Sequence, residues 1–416
     1  MKLLVVSQYF HPENFRINEL VAHMVRSGHD VTVLTGQPNY PQGRLFDGYG
    51  FFQPREESQF GARVIRVPLV PRGKGGGVRL TLNYLSFALT ASIAVWTRLQ
   101  GSFDAIFVFQ VSPVTVGLPA IAARRRFDAP ILLWVLDLWP ESVRATGAVR
   151  HPRILGLIAA LVRWIFARCD AVLVQSRAFG PSTQALGVPA EHIHYFPNWI
   201  EGEYEVAPTA PLVATDDIEF RIVYAGNIGA AQDFPAIVEA ADLLRHRLPQ
   251  IRWIVAGDGR MAPWLREEVA RRNLSERFEF LGQLPASRMP ALFADADALL
   301  VSLRADPVFA MTVPGKVQSY LASGRPVLAM LDGEGARMIA ESGGGLAVPA
   351  GDYAELADRI AELVDLDPAE RQAIGHRGRA YAMREFERKT LFERLETLLE
   401  KAVLSYSTER GTTGKR

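Results

Sequence analysis

The chain has 416 residues, too many for one ordinary hydrophobic core, and its length points to two domains of about 200 residues each. It is 49% hydrophobic and 22% charged, the composition of a globular protein, and a net charge of +1 leaves no basic field to attract nucleic acid. Its single cysteine, Cys169, excludes an intramolecular disulfide and a cysteine-based metal site, and fits a reducing cytoplasm.

The first apolar run, Leu3-Leu4-Val5-Val6, reads as a β-strand and is too short for the core of a signal peptide. A helix over 17–27 closes at Gly28, and a strand follows over 31–35. Further strands are predicted at 62–68, 105–109, 131–135 and 171–175, with helical patterns at 80–99, 115–125 and 153–168. Near-continuous apolar strands separated by helices predict a parallel sheet covered on both faces. Residues 201–217, with Pro208, Pro211 and five acidic residues, read as a linker. The alternation then restarts, with strands at 221–225, 251–256, 278–281 and 298–303 and helices at 234–247, 262–272 and 289–294. A helix over 316–323 and a strand from 326 follow; helices from Tyr353 onward close the chain, and the tail from Thr408 reads as disordered. The predicted plan is α/β: two doubly wound domains, 1–200 and 218–390, facing an interdomain cleft, followed by a C-terminal helix and tail over 391–416.

The most informative stretch is 299–330, a strand, loop, helix and strand in which Val313-Pro314-Gly315-Lys316 opens the helix. A glycine turn at a helix N-terminus presents unpaired N–H groups to an anion. Lys316 is the only lysine between Lys74 and Lys389 in a chain with forty arginines, which suggests a task for a compact ammonium. A surface position in the first turn explains it equally well. Gly226-Asn227-Ile228-Gly229 follows the first strand of the second half and can present backbone N–H groups to phosphate. Arg304 ends the strand that enters the 299–330 stretch and is a further candidate for phosphate contact, with a surface arginine as the competing role.

In the first half, the loop after strand one holds Glu13, Asn14 and Arg16 but no glycine, so only side chains could meet a ligand there. Asp137 stands where the apolar run 131–136 ends, and Glu141 follows four residues later. A carboxylate flanked by Leu and Trp can have a raised pKa and act as a general base, and a helix or loop cap is the competing role. Asp295-Ala296-Asp297 and Asp365-Leu366-Asp367 have the spacing of metal–diphosphate motifs, but two-letter motifs recur by chance. Two apolar segments flanked by arginines, 80–96 and 150–168, suggest helices lying at a membrane interface; covering the first sheet is the competing role. The first is slightly short of a spanning length.

With these residues in view, the chain resembles the GT-B glycosyltransferases of the large retaining family that includes phosphatidylinositol mannosyltransferase. The resemblance rests on 26–35, Tyr224-Ala225-Gly226-Asn227-Ile228-Gly229, 255–259, 280–282 and 320–327. A nearer resemblance, to O-antigen and capsule N-acetyl-L-fucosaminyltransferases, rests on 8–18, 35–43, 137–142 and 313–320. It implies a nucleotide-sugar donor, usually a UDP-sugar, in the second domain, and no metal or other cofactor. The donor site would comprise Gly226, Asn227, Gly229, Gly282, Gln283, Arg304, Pro314, Gly315, Lys316 and Ser319. The acceptor, a saccharide often linked to a lipid diphosphate, would meet Glu13, Asn14, Arg16, Asn39 and Tyr40 of the first domain. Catalysis would fall to Lys316, Asp137 and Glu141. The expected setting is cytoplasmic, with peripheral contact to the inner membrane and no nucleic-acid partner.

The departures are specific. The family's Glu-x7-Glu pair falls on Met311 and Ser319, its Arg and Lys after the glycine turn are missing, and Leu136 replaces its His. Two other readings therefore stay open: a non-hydrolysing UDP-sugar 2-epimerase, and a nucleotide-sugar-binding protein without catalysis.

Overall fold

The computed structural model describes residues 1–73, 77–145, 147, 149–204 and 220–413. Most of the expected linker, 205–217, lies outside the described residues. The chain forms two compact units, Met1–Phe196 with Phe392–Arg416, and Pro197–Leu391.

The first unit holds β1 (Lys2–Ser7), β2 (Asp30–Gly36), β3 (Glu56–Gln59), β4 (Ala62–Val67), β5 (Ala105–Gln110), β6 (Ile131–Val135), β7 (Ala171–Val174) and β8 (Ile193–Tyr195). They pair in the order β3-β4-β2-β1-β5-β6-β7-β8, parallel except for β3 against β4. Every residue of β5, β6 and β7 is buried, so both faces of this sheet are covered and the strands read as continuous apolar runs.

The second unit holds β9 (Phe220–Ala225), β10 (Ile251–Ala256), β11 (Phe278–Gly282), β12 (Ala298–Ser302), β13 (Val327–Met330) and β14 (Gly345–Val348). Their order is β11-β10-β9-β12-β13-β14, with all pairs parallel. Successive side chains of β9 enter opposite cores, as the pleat requires. Ile222 and Tyr224 pack toward helices Phe234–Leu244 and Tyr353–Asp365, while Val223 and Ala225 pack toward Lys316–Ala322 and Pro368–Phe386. Chain order reverses between β9 and β12. Ligands of doubly wound sheets bind outside the strand carboxyl ends at such a reversal.

One expectation is corrected at the C-terminus. The last helix runs Arg388–Thr413, where disorder from Thr408 was expected. Phe392, Leu395 and Leu399 are buried, Tyr406 donates a 2.9 Å hydrogen bond to Asp128, and the Arg124 guanidinium lies 4.9 Å over the Tyr406 ring. These contacts to the first unit carry the helix past the point where its sequence turns polar.

Candidate functional site

In the second unit the carboxyl ends of β9, β10 and β11 are laced together. Gly226 N–H donates to the Ala256 carbonyl at 2.8 Å, and Gly257 N–H donates to that of Gly282 at 2.7 Å. A Cβ on residue 257 would stand 1.9 Å from the Gly226 oxygen, and both glycines have positive φ, so only glycine admits this approach. On the other side of the reversal, Arg304 N–H donates to Ala231 O at 2.8 Å and Ser302 Oγ to Gln232 O at 2.5 Å. The turn after β9 is thus fixed to both neighbouring strands.

Lys316 reaches this turn from the first position of the helix Lys316–Ala322. Its ammonium lies 3.9 Å from the Tyr224 ring centroid and 2.9 Å from where a Cβ on Gly226 would stand. The side chain is half-buried, and burial pushes its pKa down to about 7. The two strongest anion-binding expectations, the lysine and the glycine turn, therefore meet at one point. Tyr320, from the same helix, accepts from Ala225 N–H at 2.9 Å and donates to Ala225 O at 3.2 Å, tying the helix to the end of β9. Tyr224 O–H donates to Asn227 O at 2.6 Å.

The other donor-side positions divide. Gln232 Oε1 accepts from Asn227 Nδ2 at 3.2 Å and from Gly229 N–H at 3.1 Å, so these groups close the loop on itself. The Gly226 backbone is exposed, as are Gln283, Gly315 and Arg304; Arg304 faces Asp233, whose pKa is raised by burial and partly restored by this charge. Gly282 and Pro314 are half-buried and supply backbone carbonyls to Gly257 and Val317. Ser319 is buried, and its hydroxyl donates to Glu201 Oε2 at 3.5 Å. A carboxylate thus stands beside Ser319 from a residue whose surroundings read as linker. Gln318, fully buried in the same helix, has no partner for either side-chain polar atom. Its position between Val317 and the buried Ser319 and Tyr320 gave no clear signal in the sequence, and Glu201 offered none.

In the first unit, Glu13 is buried and turned inward. Its carboxylate accepts from Asn39 N–H at 2.8 Å, Tyr40 N–H at 2.7 Å and Phe10 N–H at 3.3 Å. Burial pushes its pKa up to about 7 against those three donors. The Asn39 side chain bonds Gln37 O, Arg72 N–H and Asn83, so Glu13 and Asn39 join the loops after β1 and β2. Asn14 and Tyr40 are exposed, and Arg16 is half-buried ahead of helix Ile17–Arg26. After β6, Asp137 accepts from the Trp139 indole N–H at 3.0 Å. Burial raises its pKa, opposed by hydrogen bonding from Ser142, Trp139 and Ser112. Glu141, at the start of helix Glu141–Ala145, has Oε2 buried without a partner, and burial raises its pKa as well. An unpaired carboxylate oxygen with raised pKa can accept a proton from a hydroxyl.

One aspartate of each pair has a structural role. Asp297 accepts from Arg221 N–H at 2.8 Å beside β9, and Asp367 caps the helix Pro368–Phe386. Among the described residues no three His, Cys, Asp or Glu converge to hold a metal ion.

Comparison with known proteins agrees with this architecture. Residues 14–199 match the family of glycosyl transferase 4-like domains, and residues 219–365 match glycosyl transferases group 1. The chain is 26% identical, over 78% of its length and 82% of the relative's, to the Escherichia coli putative colanic acid biosynthesis glycosyl transferase WcaI. It is 27% identical, over 56% of its length and 60% of the relative's, to the Pseudomonas aeruginosa probable glycosyltransferase WbjE. Among solved structures, Anabaena Alr3699/HepE in complex with UDP superposes with TM-score 0.68 at 14% identity, covering 96% of this chain and 100% of that one. Sucrose-phosphate synthase from Thermosynechococcus elongatus superposes with TM-score 0.70 at 17% identity, covering 97% and 100%.

Proposed function

The chain belongs to the glycosyltransferases of the GT-B fold, and from that premise we propose that it moves a sugar from a UDP-sugar to a lipid-linked saccharide during cell-surface polysaccharide assembly. The proposed donor sugar is an N-acetylated deoxyhexosamine such as N-acetyl-L-fucosamine, transferred with retention and without a metal. The observation that carries the reading is the Lys316 ammonium against the Gly226 turn, at the reversal between β9 and β12. When the bond from the anomeric carbon to the diphosphate oxygen breaks, negative charge grows on the leaving phosphate. A preplaced cation and backbone N–H groups stabilise that charge where it forms. The missing cations after the glycine turn leave Lys316 as the main positive group for this step. Glu141, with its unpaired oxygen, takes the proton of the acceptor hydroxyl, and Asp137 orients that segment through Trp139.

Lys316→Ala tests the reading in a transfer assay with radiolabelled UDP-sugars and lipid-diphosphate acceptors. Loss of one charge-stabilising donor lowers kcat by about 10²–10³. Unchanged turnover removes Lys316 from the mechanism. UDP release that depends on acceptor separates transfer from epimerisation and from binding alone.

A further inference from the structure

The first unit carries a cavity of about 210 Å³ on the far side of β4, between the 52–55 segment and the carboxyl half of helix Gly77–Thr97. It is smaller than the roughly 300–1,000 Å³ of sites that enclose drug-sized ligands, so it is too small for a nucleotide sugar. Phe52, Pro68, Ile93 and Ala94 supply apolar wall, and Arg55, Arg66 and Arg98 supply guanidinium groups. Arg66 is paired with Glu57, and the nearby Glu56 is taken by Arg63 at 2.6 Å. Arg55 and Arg98 have no carboxylate partner among the described residues; Arg55 Nε donates to Phe52 O, and Arg98 to the carbonyls of Arg55 and Arg66. Burial, and then the Arg55 charge, push Arg98 below its usual pKa, with Glu56 offsetting only part of this, so an anion here would relieve the remaining repulsion between the two guanidinium groups. Gln37 lines the same cavity and is 1% exposed; its Nε2 donates to Pro54 O while its Oε1 has no partner and calls for a hydroxyl donor.

The cavity opens beside an apolar stripe. Val78, Leu82, Leu85, Leu89, Ile93 and Trp96 are all exposed, and their spacing places them within one narrow arc of the helix. The opposite face of this helix is built into the fold: Asn83 accepts from Gln8 Nε2 at 2.7 Å and donates to Val70 O at 2.7 Å, and Phe87, Ala91 and Val95 are buried. A helix held to its sheet by buried hydrogen bonds cannot leave it to cross a bilayer, whatever its hydropathy. It can lie in an interface with its outer face down. Ile93 belongs to both stripe and cavity.

We propose that this face rests on an anionic lipid surface and that the cavity receives the phosphate-ester headgroup of one lipid. The phosphate meets Arg55 and Arg98, a headgroup hydroxyl donates to Gln37 Oε1, and the acyl region lies along Leu89, Ile93 and Trp96. The inference rests on the lipid-linked reading of the acceptor only in placing the enzyme where such acceptors lie; its site is separate from the Lys316 site.

Flotation of the full chain with phosphatidylglycerol and with phosphatidylcholine vesicles tests it, beside titration with short-chain dihexanoyl phosphatidylglycerol and with free glycerol phosphate. The chain is expected to float with the anionic vesicles, and to bind the short-chain lipid but not free glycerol phosphate. Arg55→Gln should weaken partition about fivefold, the value of one cation at an anionic surface. Ile93→Glu should weaken it by more than about tenfold, since it removes apolar area and adds like charge. UDP binding, followed by calorimetry on the same proteins, should not change, and wild-type hydrogen-exchange protection of the β1, β2 and β5 amides shows that the first unit of each variant is folded. Equal flotation on both vesicles, tighter binding of free glycerol phosphate, or wild-type partition by both variants overturns the inference. Loss of UDP binding by wild type would instead overturn the donor reading and leave the lipid site standing.

Discussion

Lys316, in the donor role proposed for it, shows how a site residue can oppose stability. Its folded pKa of about 7 lies below the ordinary 10.5, so between these values the unfolded chain binds more protons. Stability from this group therefore rises with pH across that window, and below pH 7 the full penalty of a buried charge is present. Lys316→Met should raise Tm at pH 6.5, by calorimetry, while greatly weakening UDP binding. In the wild type a bound diphosphate restores the charge, so binding takes up a proton above pH 7. UDP affinity should fall between pH 7 and 8.5 by up to about tenfold per unit, and calorimetry in buffers of different ionisation enthalpy should show the uptake. Glu13 has the reverse sign. Its folded pKa of about 7 lies above the ordinary 4.5, so its contribution to stability is lost as pH rises from 4.5 through 7. Glu13→Gln should flatten that part of the stability profile in urea titrations at pH 5, 6 and 7.

At the scale of elements, the short helix Lys316–Ala322 acts through Tyr320 as much as through Lys316. Tyr320→Phe leaves Ala225 N–H and O without their buried partner, at a cost of about 1–3 kcal/mol, and frees the start of the Gly226 turn. A lower urea midpoint with weaker UDP binding is expected; a variant with wild-type values of both would show that the clamp is dispensable. Central strands were legible in the sequence because burial on both faces makes them continuous apolar runs. β3, with sequence Glu-Glu-Ser-Gln, was not: it is an antiparallel edge whose side chains need no core. Helix Gly77–Thr97 was legible as a helix, but both its faces are apolar, so no periodicity told which one is buried. Gly226 was legible as a turn because it directly follows a strand end, where doubly wound folds place ligands, and Lys316 stood out as a lone lysine at a helix start. Glu201 did not stand out, because only the tertiary fold brings it to Ser319 over 118 positions of sequence. The inward turn of Glu13 was not legible, because an acidic loop residue reads the same whether it faces solvent or three backbone N–H groups.

For the whole molecule, the order of the chain and the order of the fold differ at one place. The second unit ends at Leu391, and the chain returns from Phe392 to complete the first. Phe392, Leu395 and Leu399 are buried, and His23 and His29 both approach Glu396, at 3.3 and 3.5 Å. Each of those apolar side chains contributes roughly 1.5–3 kcal/mol by burial. Together they are a large part of the ~5–15 kcal/mol that holds an ordinary domain folded. Removing everything after Leu391 should therefore unfold or greatly loosen the first unit while the second, complete without that segment, keeps its fold. Hydrogen exchange reads this directly: amides of β1, β2 and β5 should lose protection while those of β9, β10 and β12 retain it. UDP binding should persist in the truncated chain and sugar transfer should not, since the donor-side groups and the proposed acceptor-side groups belong to different units. If instead protection falls equally in both sheets, the units fold as one cooperative body and the C-terminal helix supports both.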